Sequence, residues 1–496
     1  MTKASSPSLL SNRSFHCLVA LVIGLALAFG LSPQEGLLTA EGVRAVAVIV
    51  PVLYLWITVD TSWTSLMLFG LLVVTGVMSP AAVWANSLGA MSVTMIIVYF
   101  LVAVNLAEVG VINAAAMWFI TRPIAKGRPY VLLAMIFFPY LILGLLMPTI
   151  PLTVIYIGFV TKLCEKACIQ KGHSLYTYLF LALMWGNGRF TPGTPIGGPL
   201  PIMMIGMLYT QMGVSVSFAQ WMAVGVPFTL IGFVFIMGSV LIVKPDVSPL
   251  KDLDVSELAA NTPPLSRGGK IAVAVTVCLI AVLVIPEVLF RAGIMTGITG
   301  EIVRWGPNIP GIAAIVILCI LKDQGQPIMD FAQTAKGVPL GVVLFVATIN
   351  LIGVPLAAVP PPGAMETGIV AWLGSLIRPA VEGFAPYTVF ILLILVAILI
   401  TNLMSTTVTM MLCFNIGVAV MLGSGANITV FGVLLTLACN LSYLTPSASF
   451  ATPLFYGPGH ITMANSYKYN LMYLVFGMIT LLLVAPIAFA VLPASF

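Results

Sequence analysis

Charge is what this sequence has least of. Lys, Arg, Asp and Glu together make up 7% of the 496 residues, and 60% are hydrophobic, whereas a soluble domain carries about a quarter charged residues. That shortage excludes a soluble globular domain and implies a polytopic membrane protein. Apolar runs of roughly 20 residues, each able to span the hydrocarbon, recur from position 15 to position 492. Histidine is almost missing too. His16, His173 and His460 are the only three, none at a ligand spacing from Asp or Glu, so metal catalysis and a Ser-His-Asp triad have no material. The seven cysteines (Cys17, Cys164, Cys168, Cys278, Cys319, Cys413, Cys439) form no CxxC pair, and neither a zinc site nor a redox motif is indicated. Glycine-rich "GTPIGG" lacks the Gly-Lys-Ser/Thr ending of a phosphate-binding loop. The 25 methionines read as lipid-facing or core filling rather than a copper path. The net charge of +5 is spread over loops, not gathered in a basic patch for nucleic acid.

What is present is an ordered series of apolar segments, and basic residues mark the cytoplasmic loops between them. Lys3 and Arg13 put the N-terminus inside, ahead of an uncleaved first span rather than a secretory signal. Spans near 15–32, 43–59, 64–78 and 89–107 bring the chain back to Arg122, Lys126 and Arg128. Residues 131–160 are apolar throughout and are followed by Lys162, Lys166 and Lys171, so both flanks are basic and both lie inside. Two crossings of about 15 residues are too short for a bilayer that needs roughly 20. With Pro148 and Pro151 at the midpoint, the expectation is a re-entrant hairpin over 129–161. A span over 174–208 is interrupted by "GNGRFTPGTPIGGP", another over 219–243 reaches Lys244, and the polar stretch 245–270 is a cytoplasmic linker.

The second half echoes the first. "LAEVGV" (106–111) matches "AMETGI" (364–369), and "LMPT" (146–149) matches "LMST" (403–406). "TPGTPIGGPL" (191–200) likewise matches "TPSASFATPL" (445–454), and the three offsets are 258, 257 and 254. Three matches in order at nearly one offset argue for duplication. The flanks of 385–423 contain no lysine, with Arg378 and Glu382 on one side only. This second hairpin therefore enters from outside. The expected fold is an all-α polytopic membrane protein of two inverted repeats, 1–244 and 271–496, with 11 full spans. Two re-entrant hairpins (129–161, 385–423) and two broken helices (174–208, 428–465) complete it, and the C-terminus lies outside. Hydrocarbon offers no hydrogen-bond partners, so such breaks survive only packed in protein or lining a polar cavity. Paired breaks in inverted halves point to the midplane site of a secondary transporter, where half-helix N-termini suit an anion and freed carbonyls suit Na⁺.

Residues at these breaks carry a family likeness. A Glu-x-Gly after a span, a hairpin with a Ser/Thr tip and a Gly-Thr-Pro break, all duplicated, resemble the divalent anion:sodium symporter family of the ion transporter superfamily. The matches are "STTVT" (405–409), "GTP" (193–195) and "YLTPSASFATPLFYGPG" (443–459), within a likeness running from about Gly89 onward. The resemblance implies an elevator mechanism, a homodimer, Na⁺ coupling and a di- or tricarboxylate, sulfate or similar substrate in the plasma (inner) membrane. It also implies no enzymatic activity. Carried over, the substrate-binding residues are Thr149, Thr194, Pro195, Ser405, Thr406, Thr407 and Ser449. The sodium-binding residues are Pro148, Thr149, Gly193, Ser405, Thr406 and Ala448, and Ala448 and Ser449 are able to exchange roles. The family's middle tip Asn is replaced by Thr149 and Thr406, which exchanges an amide for a hydroxyl with a single donor.

Arg189 stands where the family usually has a small residue. A cation at membrane depth is a functional candidate by default, and its guanidinium suits bidentate binding of a carboxylate or sulfonate. The competing reading has it snorkel to an interface or pair with a buried acid. Glu108 and Glu366 occupy matching helix ends, read as caps more than proton sites, though they leave H⁺ open as the coupling ion. Asp60 belongs to a short turn. Asn402 is placed to replace the missing tip amide in part, and Asn187 and Asn440 read as helix-break packing. A cation/proton antiporter or arsenite-type permease of the same superfamily is the rival, and an intramembrane enzyme is the rival from another class. The first needs a membrane-embedded carboxylate near a break, and the second needs His/Asp/Glu clusters facing a cavity.

Overall fold

Short polar side chains decide where helices start in this chain, because the first turn of a helix leaves N–H groups unpaired. Thr39, Ser79, Ser266 and Asn427 each accept a backbone N–H from the helix they precede. Ser217 with Gln220, and Thr462 with Asn465, form full capping boxes. Asp60, expected in a turn, accepts from the N–H groups of Ser62 (2.6 Å) and Trp63 (3.2 Å) and so opens the next helix.

The computed structural model describes residues 13–147, 149–251, 253, 264–357, 367–449 and 451–495. Pro148 and Glu366 lie outside the described residues, as does the Thr149 side chain. The first half contains α1 (Arg13–Gly30), α2 (Ala40–Thr58), α3 (Trp63–Val74), α4 (Pro80–Asn86), α5 (Met91–Glu108) and α6 (Val111–Ile120). These are followed by α7 (Pro129–Gly144), α8 (Thr149–Lys166), α9 (Ser174–Phe190), α10 (Pro199–Met212) and α11 (Phe218–Val243). The second half contains α12 (Arg267–Arg291), α13 (Thr296–Arg304), α14 (Asn308–Ile320), α15 (Phe331–Ala335), α16 (Leu340–Gly353) and α17 (Ile369–Val381). It ends with α18 (Pro386–Thr401), α19 (Thr406–Met421), α20 (Ile428–Cys439), α21 (Pro453–Tyr456) and α22 (Met463–Val491). Among the described residues the only sheet pairs 322–323 with 326–327. The chain is an all-α polytopic membrane protein. Six of its described helices are long and apolar enough to cross a bilayer, and the pairs α13–α14 and α17–α18 bend by 80° and 100°.

Helix α9 is the axis of the region around both breaks. It is buried almost all round, as expected of a helix apolar on every face, and packs against α7, α8, α11 and α22. Trp185 stacks on Tyr473 of α22 at 4.5 Å, and its Nε1 donates to Asn470 at 2.8 Å. The helix runs on to Phe190, so "GNGRF" is helical and the break starts at Thr191 rather than Gly186. Gly186 and Gly188 serve close packing instead. A Cβ on Gly186 would meet Phe190 and Tyr140, and one on Gly188 would strike the Asn440 carbonyl.

One histidine departs from the sequence expectation. His173 Nε2 lies 3.7 Å from Asp246 Oδ2, because the chain after α11 folds back on the start of α9, where Asp246 N–H donates to Ser174 Oγ at 3.0 Å. A partner 73 positions away in sequence is invisible to a search by spacing.

Candidate functional site

Helix ends converge on one cavity of about 200 Å³. Ile150 and Pro151 in the first turn of α8, Pro199 and Leu200 in the first turn of α10, and Thr406 at the start of α19 all line it. Three helix N-termini therefore face the same space, each bringing the positive end of its dipole and N–H groups without intrahelical partners. Two C-terminal ends face it as well, through Asn187, Gly188 and Thr191 around the end of α9 and Asn440 after α20. Those ends present carbonyl oxygens. The far wall comes from Phe100 of α5 and from Gly337, Pro339 and Val342 before and within α16, and offers apolar surface. No charged side chain lines the cavity among the described residues.

Of the expected substrate-binding residues, Thr406 and Ser449 line this cavity. The Thr406 hydroxyl donates to the Ala448 carbonyl at 2.7 Å, tying the α18–α19 tip to the second break. Ser449 Oγ accepts the N–H groups of Ala451 and Thr452, both at 3.3 Å, which leaves its own proton free to donate. Ala448 is buried behind it. Ser405 immediately precedes the first residue of α19 and makes no side-chain capping bond. Thr407 is buried and does not line the cavity.

The first break is arranged differently. Gly193, Thr194 and Pro195 are buried and lie outside the lining. The Thr194 hydroxyl donates to the Leu145 carbonyl at the end of α7 and accepts from Gly197 N–H at 3.2 Å. Gly193 packs on Gly225 of α11, where any side chain would overlap Leu145 and Thr229. These residues fasten the break to the hairpin. Thr149 opens α8 at the cavity edge through its neighbours Ile150 and Pro151.

Arg189 does not reach the cavity, which corrects the expectation of an anion clamp. Its side chain is 0% exposed. The guanidinium lies over the rings of Phe228 (4.5 Å) and Tyr473 (5.3 Å), and Nη2 donates to Thr480 Oγ1 at 2.9 Å. Met184, Asn187 and Gly188 of α9 line the cavity, whereas the Arg189 side chain points toward α11 and α22. Neither competing expectation holds, since it meets no interface and pairs with no acid among the described residues.

Asn402 is a staple, not a replacement for the tip amide. Its Nδ2 donates to the Ile398 and Leu441 carbonyls, and its Oδ1 accepts from Tyr443 (2.8 Å) and Leu444 (3.0 Å) N–H. Glu108 ends α5 and accepts the Thr334 hydroxyl at 2.6 Å, in a separate recess shared with Lys162. Sequence reasoning passed over Asn187 and Asn440 as lining residues and did not consider Tyr443 or Phe100. The available signal was position: each Asn stands at a helix end beside a break.

No family model matches the chain. It is 24% identical over 297 residues to the sodium-dependent dicarboxylate transporter SdcS of Staphylococcus saprophyticus, covering 58% of this chain and 53% of that protein. It is 22% identical over 296 residues to the sodium-dependent dicarboxylate transporter SdcS of Staphylococcus aureus strain USA300, with the same coverage. The chain spans about half the length of the curated relatives it matches.

Proposed function

We propose that this protein is a Na⁺-coupled secondary transporter that imports a small organic or inorganic anion through the central cavity. The observation that carries this reading is the convergence of three helix N-termini and two helix C-termini on a space that, among the described residues, no charged side chain lines. Each N-terminus favours negative charge by about 0.3–1 kcal/mol, more where water is excluded. The carbonyl-bearing ends of α9 and α20 supply what a bound Na⁺ needs, and Thr406, Ser449 and Asn187 supply neutral hydrogen-bonding groups. Na⁺ bound first neutralises part of the anion's field and orders the breaks. Coupling is then the difference in anion affinity between the two states. The relatives' printed names support sodium and a dicarboxylate as the first pair to try.

In this reading α7–α8 and α18–α19 are re-entrant hairpins of two inverted repeats, 1–244 and 271–496. The N-terminus is cytoplasmic, and the hairpins and broken helices move as an elevator past a scaffold that forms a homodimer in the plasma membrane. An antiporter would need a carboxylate in the cavity wall, and none lines it among the described residues.

Thermal stability of the purified protein in Na⁺ against choline, with succinate, citrate or sulfate, tests the proposal. An anion at about 100 Kd adds roughly 2.7 kcal/mol, and this stabilisation is expected in Na⁺ only. If no anion yields a sodium-dependent shift, the reading fails.

A further inference from the structure

We propose that the groove between α6, α7 and α12 is a binding site for an anionic phospholipid, whose acyl chain lies along its apolar wall and whose phosphate is drawn by Arg122 and Lys270. This inference does not depend on what the central cavity carries.

Three helices fail to close on one another here. Helix α6 packs along α7, whereas α12 packs on α5 and α11 and stands off from both. The space left between them holds about 570 Å³. Val111, Ala114 and Trp118 of α6 line it, and Ile142 and Leu146 of α7 form a second wall. The third wall is Val273 and Val277 of α12. Spacings of three and four put each set on one face of its helix. Trp118, Ile142 and Val277 are exposed, so the groove opens at its rim rather than being sealed. Lipid tails are as apolar as these side chains, and the walls alone would accept any acyl chain.

Charge selects among lipids. Arg122 and Lys270 both line the groove, and among the described residues no Asp or Glu does. The Arg122 guanidinium lies over the Trp118 ring at 4.1 Å, and its Nε donates to the Trp118 carbonyl at 2.8 Å. That holds the group in place and leaves both terminal nitrogens without a partner among the described residues. Lys270 is exposed and forms no ion pair among them. It also stands in the first turn of α12, one turn after Arg267, where the helix dipole disfavours a cation. Local helix stability therefore does not account for it. The acid at this helix end, Asp323, is taken up by the Gly268 N–H at 2.7 Å and is not part of the lining. Arginine suits phosphate through paired N–H groups, and cations beside an apolar body between membrane helices are the pattern of an anionic headgroup pocket. In the proposed orientation both cations face the cytoplasm, whose leaflet carries the anionic lipid.

The test takes purified protein stripped of lipid in an uncharged detergent and adds phosphatidylglycerol or phosphatidylcholine with the same chains. Retained lipid is read by native mass spectrometry, and stability by melting temperature. Wild type is expected to prefer phosphatidylglycerol on the order of 25-fold, about five-fold per cation. Arg122→Gln and Lys270→Gln are each expected to lower that preference about five-fold and together to abolish it, with phosphatidylcholine retention unchanged. Arg304→Gln removes an exposed cation outside the groove and is expected to change nothing. Ala114→Phe fills the apolar body and is expected to lower retention of both lipids. No preference in wild type, or a preference that survives the double variant, would overturn the inference. Inorganic phosphate that stabilises as well as the lipid would make the groove an anion site with no use for a chain. A changed oligomeric state in Ala114→Phe with lipid retention intact would give the groove to a second copy of this chain. Either result overturns the lipid assignment as well.

Discussion

The two Thr-Pro breaks share a sequence pattern but are closed by different chemistry. Residues 191–198 are buried without exception, whereas Pro446 and Ser447 of the second break are exposed. Glycine seals the first, because Gly193 and Gly197 let backbone lie directly on backbone, against Gly225 of α11 and the carbonyls of Thr191 and Gly144. Hydroxyls and one amide seal the second. Thr452 donates to Pro446, Ser447 to Leu403 and Thr445 to Asn402, while Asn402 takes two N–H groups and gives two. One device is common to both: a threonine hydroxyl bonded to the carbonyl that ends the hairpin's first helix, Thr194 to Leu145 and Thr445 to Asn402. Close packing tolerates no added atom, whereas a hydrogen-bonded closure can exchange its partners. The second break thus has the means to loosen around a ligand, and it supplies Ser449 and Thr452 to the cavity wall.

Removing the amide should hurt most. Asn402→Ala leaves two buried N–H groups unpaired and is expected to cost about 3–4 kcal/mol, read as a lowered melting temperature and poor recovery of monodisperse protein. The glycine closure should break next. Gly197→Ala drives a methyl into two backbone carbonyls and is expected to cost about 2–3 kcal/mol. Ala451→Gly, at the equivalent position of the second break, should lose only about 0.5–1 kcal/mol through chain entropy. Equal costs for that pair would erase the contrast. The smallest effect belongs to the threonine latches. Thr194→Val is expected to cost about 1–2 kcal/mol in its buried setting, and Thr445→Val less than about 1 kcal/mol because Thr445 is only half-buried, beside exposed Pro446 and Ser447. The order of their melting temperatures checks which break is the dry one.

Much of this architecture was legible from residues alone. Two helices, α7 and α8, stand within the apolar stretch 129–161, because apolar length is a local property of the chain. The helices α18 and α19, and the interruptions after α9 and α20, follow for the same reason. Which face of each break met the cavity was not legible. Thr194 and Ser449 look alike in sequence, yet one bonds inward to Leu145 and the other lines the cavity. Arg189 was misread because a lone cation in an apolar run suggests a ligand, and only packing reveals that the rings of Phe228 and Tyr473 already occupy its charge. Tyr443 gave no signal, since an aromatic beside a break is ordinary until the fold sets it in the cavity wall.

Phe100, Pro339 and Val342 give the far wall of the cavity a greasy finish, with no side-chain donor or acceptor to grip what faces it. A polar wall sliding along such a surface would trade one weak contact for another and break no hydrogen bond on the way. In the proposed elevator motion friction would stay low and the resting positions shallow, so that the bound solute would tip the balance between them.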